Sequence, residues 1–130
     1  MMSRVLAVVC VLTMLVVASV ASAEVTITSP REGQIVGPAT SITGMCSQRT
    51  FLVVITDVYF DNGELLGTVP GIRHWTNDDN SIAVRISTPR LYLQPDVRLK
   101  YVIHVRGYST PSKTPGAPDL GEDQVTCYSK

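Results

Sequence analysis

The sequence predicts an all-β domain folded as a β-sandwich of about seven short antiparallel strands. Three observations carry this. Segments of apolar residues alternate with polar ones at period two, clusters of Gly, Pro, Asn and Asp interrupt them, and no segment keeps the i, i+3, i+4 apolar spacing that a helix needs.

The elements follow in order. Val25 and Ile27 alternate with Thr26 and Thr28, a strand with one wet face, and Ser29-Pro30-Arg31-Glu32-Gly33 ends it. Gln34 to Val36 is a short extended piece, stopped by Gly37-Pro38, that is placed to bridge from one sheet to the other. Ser41 to Ser47 puts Ile42, Gly44 and Cys46 on one face. Phe51 to Phe60 is apolar almost throughout, as suits a central strand covered on much of both faces. Asp61-Asn62-Gly63 then signals a hairpin, with Asn62-Gly63 suited to a type I′ turn. Leu65 to Val69 is the returning strand, and Pro70 to Asn80 reads as a loop. Ser81 to Ser87 turns Ile82, Val84 and Ile86 inward. Arg98 to Tyr108 turns Leu99, Tyr101, Ile103 and Val105 inward, with Arg98, Lys100, His104 and Arg106 on the polar face. Gln124 to Tyr128 closes the series with Val125 and Cys127 inward.

Ahead of these strands, residues 1–23 have the form of a cleaved signal peptide: Arg4, an apolar run from Val5 to Val20, then Ala21-Ser22-Ala23. The run falls short of the roughly 20 residues that span a bilayer, and no basic stop-transfer cluster follows it. Cleavage leaves one domain, 24–130, destined for secretion or the periplasm, with no membrane insertion. It also removes Cys10, so Cys46 and Cys127 remain as an expected disulfide in an oxidising compartment. Without Arg4, ten Lys and Arg face eleven Asp and Glu, a net charge of −1, which disfavours nucleic acid as a partner.

The run Val25 to Gly33, then Val36, then Ile42-Thr43-Gly44 resembles the opening of bacterial immunoglobulin-like modules: a strand, a Ser-Pro-x-x-Gly turn, a valine, and a second strand ending at glycine. Asp61-Asn62-Gly63 with Leu65-Leu66-Gly67 is similar to the hairpin of the immunoglobulin-like domain of sporulation and spore germination proteins. The resemblance covers Val25 to about Gly67 and implies an immunoglobulin-like sandwich serving adhesion, ligand display or spacing. It brings no catalytic residues. The chain departs from antibody-type domains in having no cysteine between Arg98 and Tyr108 and no tryptophan in the central strand.

Strand directions gather three connections at one end: Ser47 to Thr50, Pro70 to Asn80, and the Pro-rich Ser109 to Asp123. Rigid sandwiches commonly bind through such clusters. The candidate ligand-binding residues there are Arg49, Arg73, His74, Trp75 and Lys113, with Asp78 and Asp79 close in sequence. Trp75 is either an exposed anchor for a partner or a lid folded over the core. Asn77-Asp78-Asp79-Asn80 offers oxygen ligands but lacks the order of a dedicated Ca²⁺ loop and reads as a turn. Two histidines without metal-ligand spacing, and no nucleophile motif, give no metal, no cofactor and no enzyme. The expected role is a binding or structural one with a protein or glycan partner. The alternatives are a secreted hydrolase inhibitor using the Pro-rich loop as a wedge, or a carbohydrate-binding module stacking sugars on Trp75 with Tyr59, Tyr92 or Tyr108.

Overall fold

The period-two alternation becomes eight strands in a computed structural model that describes residues 25–90 and 96–129. They are β1 (Val25–Ser29), β2 (Ile35–Val36), β3 (Ala39–Cys46), β4 (Phe51–Phe60), β5 (Leu65–Trp75), β6 (Ser81–Ser87), β7 (Leu99–Tyr108) and β8 (Glu122–Ser129), with one 3₁₀ turn at Pro111–Lys113. The expected signal peptide and Tyr92 lie outside the described residues.

Two sheets face each other, a three-stranded one in the order β1-β3-β6 and a five-stranded one in the order β2-β8-β7-β4-β5. Between them lies the core, in which Ile42, Leu52, Val54, Tyr101, Ile103, Val105 and Cys127 are fully buried. Each fully buried aliphatic side chain stabilises by about 1.5–3 kcal/mol, so the alternating pattern is enough to fix which face turns in. β4 is buried along its inner face and at Phe51; Val53, Ile55, Asp57 and Tyr59 on its outer face are half-buried.

The short piece before Gly37-Pro38 does change sheets. β2 leaves the β1 layer and pairs with β8 through Ile35 opposite Tyr128 and Val36 opposite Ser129. That pairing is parallel, so the sandwich is not antiparallel throughout as the alternation alone suggested. Gly33 N–H donates to the Thr126 carbonyl (2.8 Å), Tyr128 N–H to the Gln34 carbonyl (3.0 Å), and Thr126 N–H to Glu32 Oε1 (2.7 Å). At the opposite margin Asp123 Oδ2 accepts from Ile27 N–H at 2.8 Å, tying β1 to β8 across the layers.

The hairpin between β4 and β5 differs from the expected type I′ turn. Gly63 alone in the turn has a positive φ, 87°, while Gly63 N–H donates to the Phe60 carbonyl and Phe60 N–H to the Glu64 carbonyl. This is a three-residue connection whose glycine takes the left-handed position. Asn62 instead uses its side chain, accepting from Glu64 N–H at 2.9 Å.

The expected Cys46 to Cys127 bridge is corrected by the strand register. Both side chains are buried and inward as predicted, yet no disulfide joins them. Cys46 lies opposite Val25, and Val25 packs beside Gly107 near the end of β7. Cys127 lies opposite Tyr101, near the start of β7. At about 3.3 Å per residue the two positions are roughly 20 Å apart along the sandwich, far beyond the roughly 7 Å limit on Cα separation for a disulfide. Alternation gives the face a residue points to; it does not give its height along the strand. Burial, chiefly, pushes the Cys127 thiol up to about 11, with Glu32 adding to the effect.

Candidate functional site

β5 runs on past Val69 to Trp75, so Arg73, His74 and Trp75 lie on a strand where the sequence suggested a loop. A bulge decides where they point. Ile55 lies opposite Pro70 but Val53 lies opposite Arg73, so Gly71 and Ile72 together face the single residue Val54. Below the bulge, Thr68 and Pro70 share the outer face; above it the parity reverses, and Arg73 and Trp75 take that face. His74, opposite the inward Leu52, is exposed on the other side. Gly71 permits this close approach, because a Cβ there would lie 1.3 Å from the Val54 carbonyl oxygen.

The re-aimed side chains form a ladder. The Arg49 guanidinium lies 4.9 Å from the Trp75 ring centroid, Trp75 meets Phe51 edge-to-face at 5.4 Å, and the Arg73 guanidinium lies 5.6 Å from the Phe51 centroid. Arg73 continues it by donating to Thr114 Oγ1 at 2.6 Å. Cation–ring contacts at exposed sites contribute about 0.5–1 kcal/mol each and the aromatic pair about 0.5–1.5 kcal/mol, so the ladder holds long side chains in place while leaving them at the surface. Trp75 is therefore half-buried on the outer face, not a lid on the core.

Ser109 to Gly121 folds back against the same face. Tyr108 Oη donates to the Gly116 carbonyl at 2.8 Å, Leu120 N–H donates to the Gly107 carbonyl, and Gly107 N–H donates to the Gly121 carbonyl. Asp119 accepts from Ser109 N–H, Ser109 Oγ and Lys113 Nζ. The Ser109 hydroxyl first, then Lys113, holds its carboxyl down at about 2. Lys113 is thus committed within its own segment, with its ammonium 2.9 Å from Asp119. Between this segment and the sheet is a recess of about 210 Å³; Val53, Ile55, Pro115 and the Tyr108 ring give it apolar walls, and Arg73, Arg106 and Thr114 polar ones.

A second network crosses the outer face lower down. Thr68 Oγ1 donates to Asp57 Oδ1 (2.7 Å), His104 Nε2 lies 3.1 Å from Asp57 Oδ2, and His104 Nδ1 lies 3.7 Å from Glu122. Arg106 Nε donates to Glu122 Oε2 at 3.2 Å. These residues come from β5, β4, β7 and β8. The hydroxyl of Thr68 meets the carboxylate and not the imidazole, so the trio lacks a nucleophile–base contact.

Of the five candidate ligand-binding residues, the fold brings Arg49, Arg73 and Trp75 together and sets His74 and Lys113 apart. Sequence reasoning missed Phe51, Thr114 and Arg106, and named Tyr108 only as a sugar-stacking residue. Phe51 and Tyr108 were each at a strand end, and only their pairing across β4 and β7 shows that they share the site. Of the sugar-stacking tyrosines among the described residues, Tyr108 is 1% exposed beneath the folded-back segment and Tyr59 lies at the hairpin end, so neither forms a platform with Trp75. Asn77 to Ser81 is a closed turn, with Ser81 N–H and Oγ both donating to Asp79 Oδ1 and Asn77 N–H to the Ser81 carbonyl. The Ser81 hydroxyl, chiefly, lowers the Asp79 carboxyl. Among the described residues no cluster of three or more His, Cys, Asp or Glu is placed to hold a metal ion, and no helix is long and apolar enough to cross a membrane. The comparisons with known proteins add no relative: no family model, no curated protein and no solved structure matches the chain.

Proposed function

We propose that the chain is an exported immunoglobulin-like module whose role is to bind a protein partner through the outer face of its five-stranded sheet. The strand order supports the fold reading: β1-β3-β6 faces β2-β8-β7-β4-β5, and the first extended segment is divided between the layers. The form of residues 1–23 supports export.

One observation carries the binding role, the ladder from Arg49 through Trp75 and Phe51 to Arg73. Tryptophan and arginine are the residue types enriched at interface hot spots, and here they are held at the surface before any partner arrives. Arg49 lies over the Trp75 ring and buried Tyr108 offers no second platform, which favours a protein partner over a glycan. The Pro-rich segment lies pinned against the outer face of the sheet, and that posture suits a wall of the binding face better than an inhibitor's wedge.

The test is cross-linking on the producing cells followed by mass spectrometry, comparing the native chain with Trp75→Ala and with Arg49→Glu/Arg73→Glu. A partner captured by the native chain is lost in both variants while both remain folded at the temperature of the assay, as circular dichroism checks. Capture undiminished in both, with cross-links mapping elsewhere, would reject this face.

A further inference from the structure

The recess beside the ladder has a charge imbalance that specifies its occupant. Arg106 is neutralised by Glu122, its Nε donating at 3.2 Å. Arg73 meets no carboxylate among the described residues; its partners are the Thr114 hydroxyl and the Phe51 ring. A guanidinium carries five donors, so most of those on Arg73 remain for a ligand. The rest of the lining is apolar, from Val53, Ile55, Pro115 and the ring of Tyr108.

We infer that this recess binds a monocarboxylate borne on one compact apolar group, with Arg73 as the carboxylate's partner and Val53, Ile55 and Pro115 around the apolar body. The inference deepens the binding-face reading and rests on it. Size sets the apolar group: a cavity of about 150 Å³ holds benzene, and the recess, at about 210 Å³, has room for such a ring with a carboxylate attached. Charge sets the anion. One uncompensated guanidinium matches one negative charge, while a phosphate dianion would bring a second charge up to Glu122. Planar, two-pronged donation by arginine suits a carboxylate. The walls stand ready, since Pro115 is flanked by Thr114, bound to Arg73, and by Gly116, bound to Tyr108. A small free acid and the carboxyl terminus of a peptide ending in an aromatic residue present the same chemistry.

The test follows the backbone amide resonances of the chain, residues 24–130, during titration with phenylacetate, with neutral phenylacetamide, and with N-acetyl-alanyl-phenylalanine. Saturable shifts centred on Ile55, Arg73 and Thr114 are expected with the two acids, and binding of the amide weaker by about tenfold or more, the loss expected when a charge-assisted hydrogen bond is removed. Arg73→Gln should weaken both acids by a similar factor. Ile55→Trp, which fills the recess from an outward position, should abolish the shifts without unfolding the chain. Tighter binding of the peptide acid than of phenylacetate assigns a chain terminus as the source, and equal or weaker binding assigns a free acid. Equal affinity for acid and amide, or no saturable shift in the folded native chain, overturns the inference. Were partner capture through Trp75 to persist in that case, the binding face would stand and only its carboxylate recess would fall.

Discussion

Replacing Gly71 by alanine tests the bulge that builds the site. The added Cβ would lie 1.3 Å from the Val54 carbonyl oxygen and 2.2 Å from its carbon, and both are backbone atoms that no side-chain rotation can move aside. Either β5 separates from β4 around Val54, or the bulge is lost and Arg73 and Trp75 exchange faces with Ile72 and His74. Overpacking of this kind costs about 1–3 kcal/mol, and losing the ladder adds about 1.5–3.5 kcal/mol. A total near 4 kcal/mol lowers the melting temperature of a domain this size by roughly 16–32 °C. The readout is direct because Trp75 is the only tryptophan in the chain: its emission should shift to the red as Phe51 and Arg49 are lost. Gly67, on the same strand with nothing within 4 Å of its would-be Cβ, is the control. Gly67→Ala should change stability by no more than about 1 kcal/mol and leave the emission where it was. If Gly71→Ala proved as stable as Gly67→Ala with unchanged emission, the bulge and the parity reversal built on it would be wrong.

Two further predictions concern the cysteines and the folded-back segment. A bridge closing the roughly 80-residue loop between Cys46 and Cys127 would contribute about 4 kcal/mol; the register forbids it, so non-reducing peptide mapping should find no Cys46–Cys127 link and reductant should leave the melting temperature unchanged. A linked peptide would overturn the pairing of β8 with β7. The Asp119 carboxyl sits at about 2 in the folded chain, against about 3.9 when unfolded. Its contribution is therefore complete above about pH 4 and is lost as pH falls through 2, so native and Asp119→Asn melting curves should differ at neutral pH and converge near pH 2. A gap that stays constant down to pH 2 would remove Asp119 from the account.

The layers were legible because alternation reports burial, and burial is what it reported correctly from Val25 to Tyr128. What escaped was everything set by cross-strand geometry. Ile55 and Pro70 give no sign in sequence that they are partners, so the bulge at Gly71 and the reversal that brings Arg73 beside Phe51 could not be read. The same ignorance of height made Cys46 and Cys127 seem a pair. Pro70-Gly71 carries the ordinary composition of a loop, and only continued pairing with β4 keeps the strand going to Trp75. Of Asp57, His104 and Glu122 only His104 was read as polar and outward; the register made the three neighbours.

The sheet change at β2 has a mechanical side. Val25 starts β1 beside the ladder end of the sandwich, and Ser129 ends β8 at the hairpin end. Tension applied between those two points draws β2 one way and β8 the other, along their shared parallel axis. The bonds from Gly33 and Tyr128, with the Glu32 carboxylate on Thr126, then bear the load together in shear, where an antiparallel hairpin pulled from its open end would unzip bond by bond. The sandwich therefore has a force-resisting clamp between β2 and β8, which takes the load once β1 has parted from β3 and from Asp123.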